Sequence, residues 1–385
     1  MSSVLLLTDA DVFAGTERHI LDLALALRDA GVEPTIGCPE PSPLAEAAAS
    51  DNLPMLLVGL PSQPKGGRAD WATLHRLRAA FRRDAFSVVH VHNGRSAFIA
   101  ALAGAGKRLP MVMTQHFLNP ARTTRKGLRG MCSKIAHGWL ESRIARHIAI
   151  SQAVESASIS AGIADTAKIQ VVHNGIRLPE RAEPQAVLDP DPWFAEGGPR
   201  IFCAARAEPE KDLATLVASM RALQRMVPTA RCIIAGDGQQ LESLREMAAK
   251  PSNDGTSVQE PNVRLIGFRR DVADWMSAAD IFVLPSPAEP FGLVLLEAMA
   301  LGKPIVACAA GGPCEIVDSG KTGILVPPKS PSAMAQALAT LAADPNLRHS
   351  MGQAGYRRYQ EMFTAQRMAE RIAGVYREAS SRMEN

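Results

Sequence analysis

The sequence predicts two α/β domains, each built on a parallel sheet, and three observations carry that expectation. Short, continuous apolar runs such as Val4–Leu7, Val88–His92 and Ile281–Leu284 recur along the 385-residue chain, the pattern of strands buried on both faces. Helix-like segments such as Glu17–Arg28 and Trp71–Arg83 alternate with them, and that alternation implies βαβ units. The rhythm then breaks at 179–200, a proline-rich stretch ending in Gly-Gly-Pro-Arg, and restarts. Prolines packed this densely read as a linker or surface loop, and 385 residues are more than one ordinary domain holds.

In chain order, the first half offers strands at Val4–Leu7, Thr35–Cys38, Met55–Val58, Val88–His92, Met111–Thr114, His147–Ile150 and Ile169–His173. The second offers Ile201–Ala205, Cys232–Ala235, Val263–Ile266, Ile281–Leu284, Ile305–Cys308 and Ile324–Val326. Residues 250–261, with Pro, Ser, Asn, Gly and Thr, read as an exposed loop, and helical pattern runs from Pro331 to the end. The expected layout is a first domain over 1–178, a linker over 179–200 and a second domain over 201–362. A closing helix over 363–385 is expected to pack back on the first domain. A cleft between two such domains is the default place for a ligand.

A hydrophobic fraction of 46% with 21% charged residues describes a soluble globular chain. A net charge of +3 gives no reason to expect a nucleic-acid partner. The six cysteines form no C-x-x-C pair, which argues against zinc and against a disulfide framework. A reducing cytoplasm is the expected compartment. The N-terminus lacks the basic flank of a signal peptide, and no apolar run reaches the ~20 residues of a membrane span.

The chemistry concentrates between Pro285 and Ala300, which read Pro-Ser-Pro-Ala-Glu289-Pro-Phe291-Gly292-Leu293-Val-Leu-Leu-Glu297-Ala-Met-Ala. A strand, a Pro/Gly turn and a helix follow one another, and Gly302 and Pro304 close the helix. Such a helix begins at the carboxyl end of a strand, where open α/β sheets bind ligands. Its free amides suit a phosphate. Glu297 sits among apolar neighbours, so partial burial and a polar partner are expected. The dinucleotide fingerprint is missing: Gly15 stands alone after the first strand, and Leu241 takes the third glycine place after Gly236-Asp-Gly238.

Glu289-x7-Glu297, followed by Gly-Lys-Pro-Ile-Val-Ala and Gly311-Gly312-x-x-Glu315, resembles the donor site of the retaining glycosyltransferases of family 4 (glycosyl transferases group 1). The resemblance extends to Ala14-Gly15-Thr16-Glu17, Val89-His90-Val91-His92-Asn93, Thr114-Gln115-His116, Ile150-Ser151, His173-Asn174-Gly175 and Ala205-Arg206-x4-Lys211. Ala205 and Asp212 stand where that family has glycines. The resemblance implies the GT-B fold, two Rossmann-like domains facing across a cleft, and transfer of a hexose-type sugar from a UDP- or GDP-linked donor to a hydroxyl acceptor.

It also implies roles for single residues. Glu289 would take the sugar hydroxyls, Glu297 the ribose, and Arg206 with Lys211 the diphosphate. His116 would stand near the reacting sugar, which makes His116, Glu289, Arg206 and Lys211 the expected catalytic set. Gly15, Phe291, Gly292, Leu293, Gly311 and Gly312 would complete the donor site, with Gly15 approaching the phosphates as the domains close. Glu17, His92 and Arg122 are weaker, acceptor-side expectations. His90 and His92 are read as facing opposite sides of their strand, leaving at most one for the cleft.

No metal or other cofactor is expected. Asp9-Ala-Asp11 and Asp189-Pro-Asp191 have D-x-D spacing but fit loops better. The basic run from Arg122 to Lys134 falls where family members contact an anionic membrane or a lipid-linked acceptor, so peripheral attachment to the inner face of the cytoplasmic membrane is one expectation. The rival readings are an epimerase or hydrolase on the same fold, or a non-catalytic binding subunit. Against the second, Glu289, Arg206 and Lys211 are all present.

Overall fold

The structure, a computed structural model, describes residues 3–10, 12–59, 68–83, 86–107, 109–118, 128–178, 191–250 and 261–384. Asp11, Asp189, residues 122–127 of the basic run, Arg122 among them, and the loop at 251–260 lie outside these residues. The chain divides into two units. The first comprises Met1–Arg177 with Phe363–Asn385, and the second Leu178–Met362.

Unit 1 holds a seven-stranded parallel sheet in the order β3-β2-β1-β4-β5-β6-β7. Its strands are β1 Ser3–Leu7, β2 Glu33–Cys38, β3 Met55–Leu57, β4 Val88–Val91, β5 Met111–Gln115, β6 Arg146–Ala149 and β7 Ile169–Val171. Apolar residues cover both faces, as parallel strands require. Leu6, Ile20, Leu23, Val112 and Ile148 belong to one core, and Leu5, Leu77, Val89, Val91 and Met113 to the other. The closing helix, Ala365–Glu384, sends Met368, Ile372, Val375 and Tyr376 into the first of these cores. The helix therefore belongs to unit 1 although 185 residues of the other unit precede it.

Unit 2 repeats the design with six parallel strands in the order β10-β9-β8-β11-β12-β13. These are β8 Arg200–Ala204, β9 Arg231–Ala235, β10 Val263–Gly267, β11 Ile281–Leu284, β12 Ile305–Cys308 and β13 Gly323–Val326. In both sheets the order reverses beside the first strand, and this switch point is where α/β sheets bind ligands. The β8–β11 ladder pairs Ile281 with Ile201 and Phe282 with Phe202 and goes no further, so these strands part toward their carboxyl ends.

Part of the stretch expected as a linker, 179–200, lies within the described residues. Residues 191–200 pack onto unit 2: Phe194 is fully buried against Trp275, and Trp193 lies under the guanidinium groups of Arg231 and Arg264. Two adjacent aromatics gain more from burial than the prolines gain from extension. Asp191 of the second D-x-D caps the short Pro192–Ala195 helix through a 3.0 Å bond from the Phe194 amide and pairs with Arg264. The five described cysteines are unpaired. Among the described residues no helix is long and apolar enough to cross a membrane.

Candidate active site

In unit 2, the residues after β8 and those after β11 flank the switch point. Lys211 Nζ donates to Glu289 Oε2 at 2.7 Å, joining segments 78 residues apart. Both side chains are largely buried, with 20% and 10% exposure. Lys211 ends a short 3-10 turn, Pro209–Lys211, and Asp212 then takes a left-handed conformation, φ 49°, before the Leu213–Met226 helix begins. Asn and Asp tolerate that conformation better than most residues, so Asp212 can serve where a glycine otherwise would. Its carboxylate also accepts from Thr215 Oγ1 at 2.8 Å.

Arg206 is different. It is 63% exposed and pairs with Glu210, itself 54% exposed, at 2.8 Å. Its loop rests on the turn after β9, where the Ala207 amide donates to the Asp237 carbonyl at 2.8 Å. Gly236 makes this approach possible, because a Cβ there would meet the Ala205 carbonyl oxygen at 1.9 Å. The Gly236-x-Gly238 pair set aside as a failed dinucleotide fingerprint thus has a packing role.

The Glu289 segment is held from below by the turn after β12. The Gly312 amide donates to the Glu289 carbonyl at 2.9 Å. Cβ atoms on Gly311 and Gly312 would fall 2.3 Å from the Glu289 oxygen and from the Phe291 Cα. The Gly312 amide is therefore spent inside the protein, and the two glycines act by letting the loops touch. Phe291 is buried beneath the loop, 2% exposed. Gly292, at φ 103°, starts the Leu293–Ala300 helix without a side-chain cap. An uncapped N-terminus leaves amides for an anion. Glu297 is half-buried inside that helix.

Unit 1 presents histidines instead. His92 follows β4 and His116 follows β5, at 2% and 7% exposure, and His92 Nδ1 lies 3.2 Å from His116 Nε2. The expectation that His90 and His92 face opposite sides is incorrect. Side chains two apart on a strand share a face, and these rings stand 4.3 Å apart. His90 is tied at 2.7 Å on both nitrogens, to Tyr376 Oη and Thr114 Oγ1. His19, on the Gly15–Asp29 helix, is a third buried member at 1% exposure, and sequence reasoning missed it. The available signal was its place four residues into a helix that begins beside a strand end.

Burial pushes His19 down to about 4, and it holds His90, His92 and His116 well below the ordinary imidazole range. All four are neutral at pH 7. Glu17, an acceptor-side expectation, has its carboxylate against the Ala14 amide at 2.9 Å. It covers an orphan donor at the helix start, and Gly15 is the exposed first residue of that helix.

Beside His92 and His116 a cavity of about 440 Å³ opens in unit 1, walled also by Phe98, Met113, Leu140 and Ile144. One polar chain crosses its lining: Gln115 Nε2 to His147 Nδ1 at 3.1 Å, and His147 Nε2 to Glu141 Oε2 at 2.8 Å.

Residues 13–179 match the model of Glycosyltransferase Family 4, and residues 188–358 that of Glycosyl transferases group 1. A D-inositol 3-phosphate glycosyltransferase of Kribbella flavida is 30% identical over 80% of this chain and 76% of its own. The phosphatidyl-myo-inositol mannosyltransferase of Mycolicibacterium smegmatis is 29% identical over 88% and 83%. Anabaena HepE in complex with UDP-glucose superposes with a TM-score of 0.79 at 22% identity, over 97% of this chain and 99% of that one. The matched segments span both units and include Arg206, Lys211, Glu289 and every histidine position described above, so the chain belongs to the family 4, group 1 glycosyltransferases and is an enzyme of the GT-B fold.

Proposed function

We propose that the chain moves a hexose-type sugar from a nucleoside-diphosphate donor to a hydroxyl acceptor, with retention at the anomeric carbon. The observation that carries this reading is the Lys211–Glu289 pair at the switch point of unit 2, beside the uncapped helix that starts at Leu293. A cation, helix amides and a carboxylate side by side suit a diphosphate continuing into a sugar bearing hydroxyls. Glu297 lies further along the helix, at the ribose end of such a donor. The HepE complex with UDP-glucose favours a UDP-linked donor.

The bond from the sugar C1 to the diphosphate oxygen breaks, and a bond from C1 to the acceptor oxygen forms on the same face. The acceptor proton passes to the departing phosphate oxygen. Negative charge grows on the leaving group, so Arg206, Lys211 and the helix amides stabilise the transition state more than the ground state. No metal is needed at the diphosphate in this reading. His116 is a neutral hydrogen-bonding group. The largely apolar cavity beside it suits an acceptor with an apolar part, a lipid-linked one included. Nucleotide sugars place the reaction in the cytoplasm.

A thermal-shift screen against UDP- and GDP-sugars tests the donor. Ligand binding raises stability by RT ln(1 + [L]/Kd), so the true donor should stabilise wild type and leave Lys211→Ala unmoved. If no nucleotide sugar stabilises or is turned over by wild type, the reading fails.

A further inference from the structure

Three imidazoles in unit 1 form a near-equilateral triangle. The ring centroids lie 5.4 Å apart for His19 and His92, 5.1 Å for His19 and His116, and 5.5 Å for His92 and His116. One nitrogen from each can be chosen so that all three lie within 4.8 Å of one another. Three imidazoles around a tetrahedral ion, bonded at roughly 2.0–2.1 Å, place their nitrogens about 3.3 Å apart and their ring centres about 5.2 Å apart. The His92 Nδ1 to His116 Nε2 separation, 3.2 Å, is already at that spacing.

Buried polar atoms left without partners cluster at the same place. Among the described residues, both nitrogens of His19, Nε2 of His92 and Oδ1 of Asn174 are buried with no hydrogen bond. Asn174 acts on the His19 imidazole as a hydrogen-bonding neighbour, although no bond of normal geometry forms. An unsatisfied buried group costs roughly 1–3 kcal/mol. Three of them, the two His19 nitrogens and Asn174 Oδ1, point to an occupant that the protein atoms do not supply.

We propose that His19, His92 and His116 form a three-histidine site for a divalent transition ion of the zinc type. One bond comes from each ring, and the fourth position faces the cavity that His92 and His116 line. The ion takes the place of the His92–His116 hydrogen bond. The proton of that bond moves to the other nitrogen of the same ring, so binding to neutral imidazoles releases no proton. The second nitrogen of His19 then has its proton to give to Asn174 Oδ1, and one ion satisfies both His19 nitrogens and the asparagine. Imidazole nitrogens without a carboxylate suit zinc, cobalt, nickel or copper rather than magnesium or calcium.

The site is separate from the anion-binding residues of unit 2, and it stands whether or not the donor reading above is right.

Co²⁺ titration of the full-length, chelator-treated protein tests the site without any sugar. Wild type should bind one equivalent, develop the strong visible bands of four-coordinate cobalt, and lose them when zinc, the tighter binder, is added. His19→Gln and His92→Gln should each weaken binding by more than the roughly 10–100-fold that outer-shell changes cost, and Asn174→Ala should fall within that range. His349→Gln, in unit 2, should change nothing. Circular dichroism of each variant separates loss of a ligand from loss of fold, and the Asn174→Ala result stands even if a histidine variant fails to fold. The proposal is overturned if wild type shows no cobalt band, if His19→Gln binds as wild type does, or if a crystal grown with zinc holds only a water among the rings.

Discussion

The two units share one sheet plan and furnish it with opposite chemistry. Six of the seven strands of unit 1 follow the same order as the six of unit 2, and every pairing is parallel. All but His349 of the nine histidines fall in unit 1. There the strand ends present neutral, buried rings. In unit 2 the corresponding ends present a buried ion pair, a guanidinium at the surface and a helix that starts without a cap. Topology thus fixes where a site can form, and the side chains on a few loops decide whether it meets an anion or a neutral group.

The largest test of that contrast is Lys211→Ala. Removing one preorganised electrostatic group from a reacting centre typically costs about 10²–10³ in kcat. Steady-state kinetics with the donor found by thermal shift should show that loss, with the fold intact by circular dichroism. Glu289→Ala should lose a comparable factor. A variant retaining kcat within a few-fold would remove the ion pair from catalysis and leave unit 2 with a merely structural bridge.

The histidines of unit 1 make a different prediction, about pH. His19 is held near 4 in the fold, and an unfolded chain takes up that proton near 6.5. The unfolded state therefore binds more protons in this window, and stability is lost as pH falls from about 6.5 toward 4. His19 alone accounts for about 3 kcal/mol by pH 4, from roughly 1.4 kcal/mol per pH unit. His90, His92 and His116 shift the same way. Denaturant melts in chelator at pH 7.5, 6 and 5 should show unit 1 weakening ahead of unit 2. Equal weakening of both would mean that the imidazoles are less buried than the contrast requires.

Next in size is Gly312→Ala. Its Cβ would land 2.3 Å from the Phe291 Cα and 2.4 Å from the Phe291 oxygen, so backbone must move. Overpacking of this kind costs about 1–3 kcal/mol. Unit 2 should lose that stability, and donor affinity should fall with it, because the shifted loop carries Glu289. Tyr376→Phe is the counterpart in unit 1. It strands His90 Nδ1, now 2.7 Å from the phenol oxygen, at a cost of about 1–3 kcal/mol, and it should leave donor binding by unit 2 unchanged.

The same contrast explains what the sequence disclosed. Parallel strands buried on both faces are nearly continuous apolar runs, so Ile281–Leu284 and Ile305–Cys308 could be read to the residue. Contacts between distant segments left no such trace. Nothing local marks Lys211 as the partner of Glu289, 78 residues away, and nothing marks Tyr376 as the partner of His90, 286 residues away. His19 lies in a helix whose apolar face gives an imidazole no special signature. The error over His90 and His92 was one of arithmetic, since a period of two places alternate residues on one face. The tryptophan and phenylalanine at 193–194 left no sign in the proline-rich composition that this end of the stretch packs onto unit 2.

The smallest expected effect concerns the exposed end of the proposed anion site. Arg206 and Glu210 are both more than half exposed, at 63% and 54%, although they meet at 2.8 Å. A surface pair of this kind contributes about 0–1 kcal/mol, so Glu210→Ala should leave the melting temperature nearly unchanged. Its effect belongs to binding. With Glu210 present, an arriving diphosphate must draw the guanidinium away from a carboxylate. Without it, Arg206 has one competitor fewer, and donor affinity should stay level or rise by a few-fold at low salt, the gain shrinking as salt screens the pair. A fall in affinity would show that Glu210 aims Arg206 at the phosphates. The exposed cation of unit 2 would then be as preorganised as the buried one, and burial would no longer separate the two.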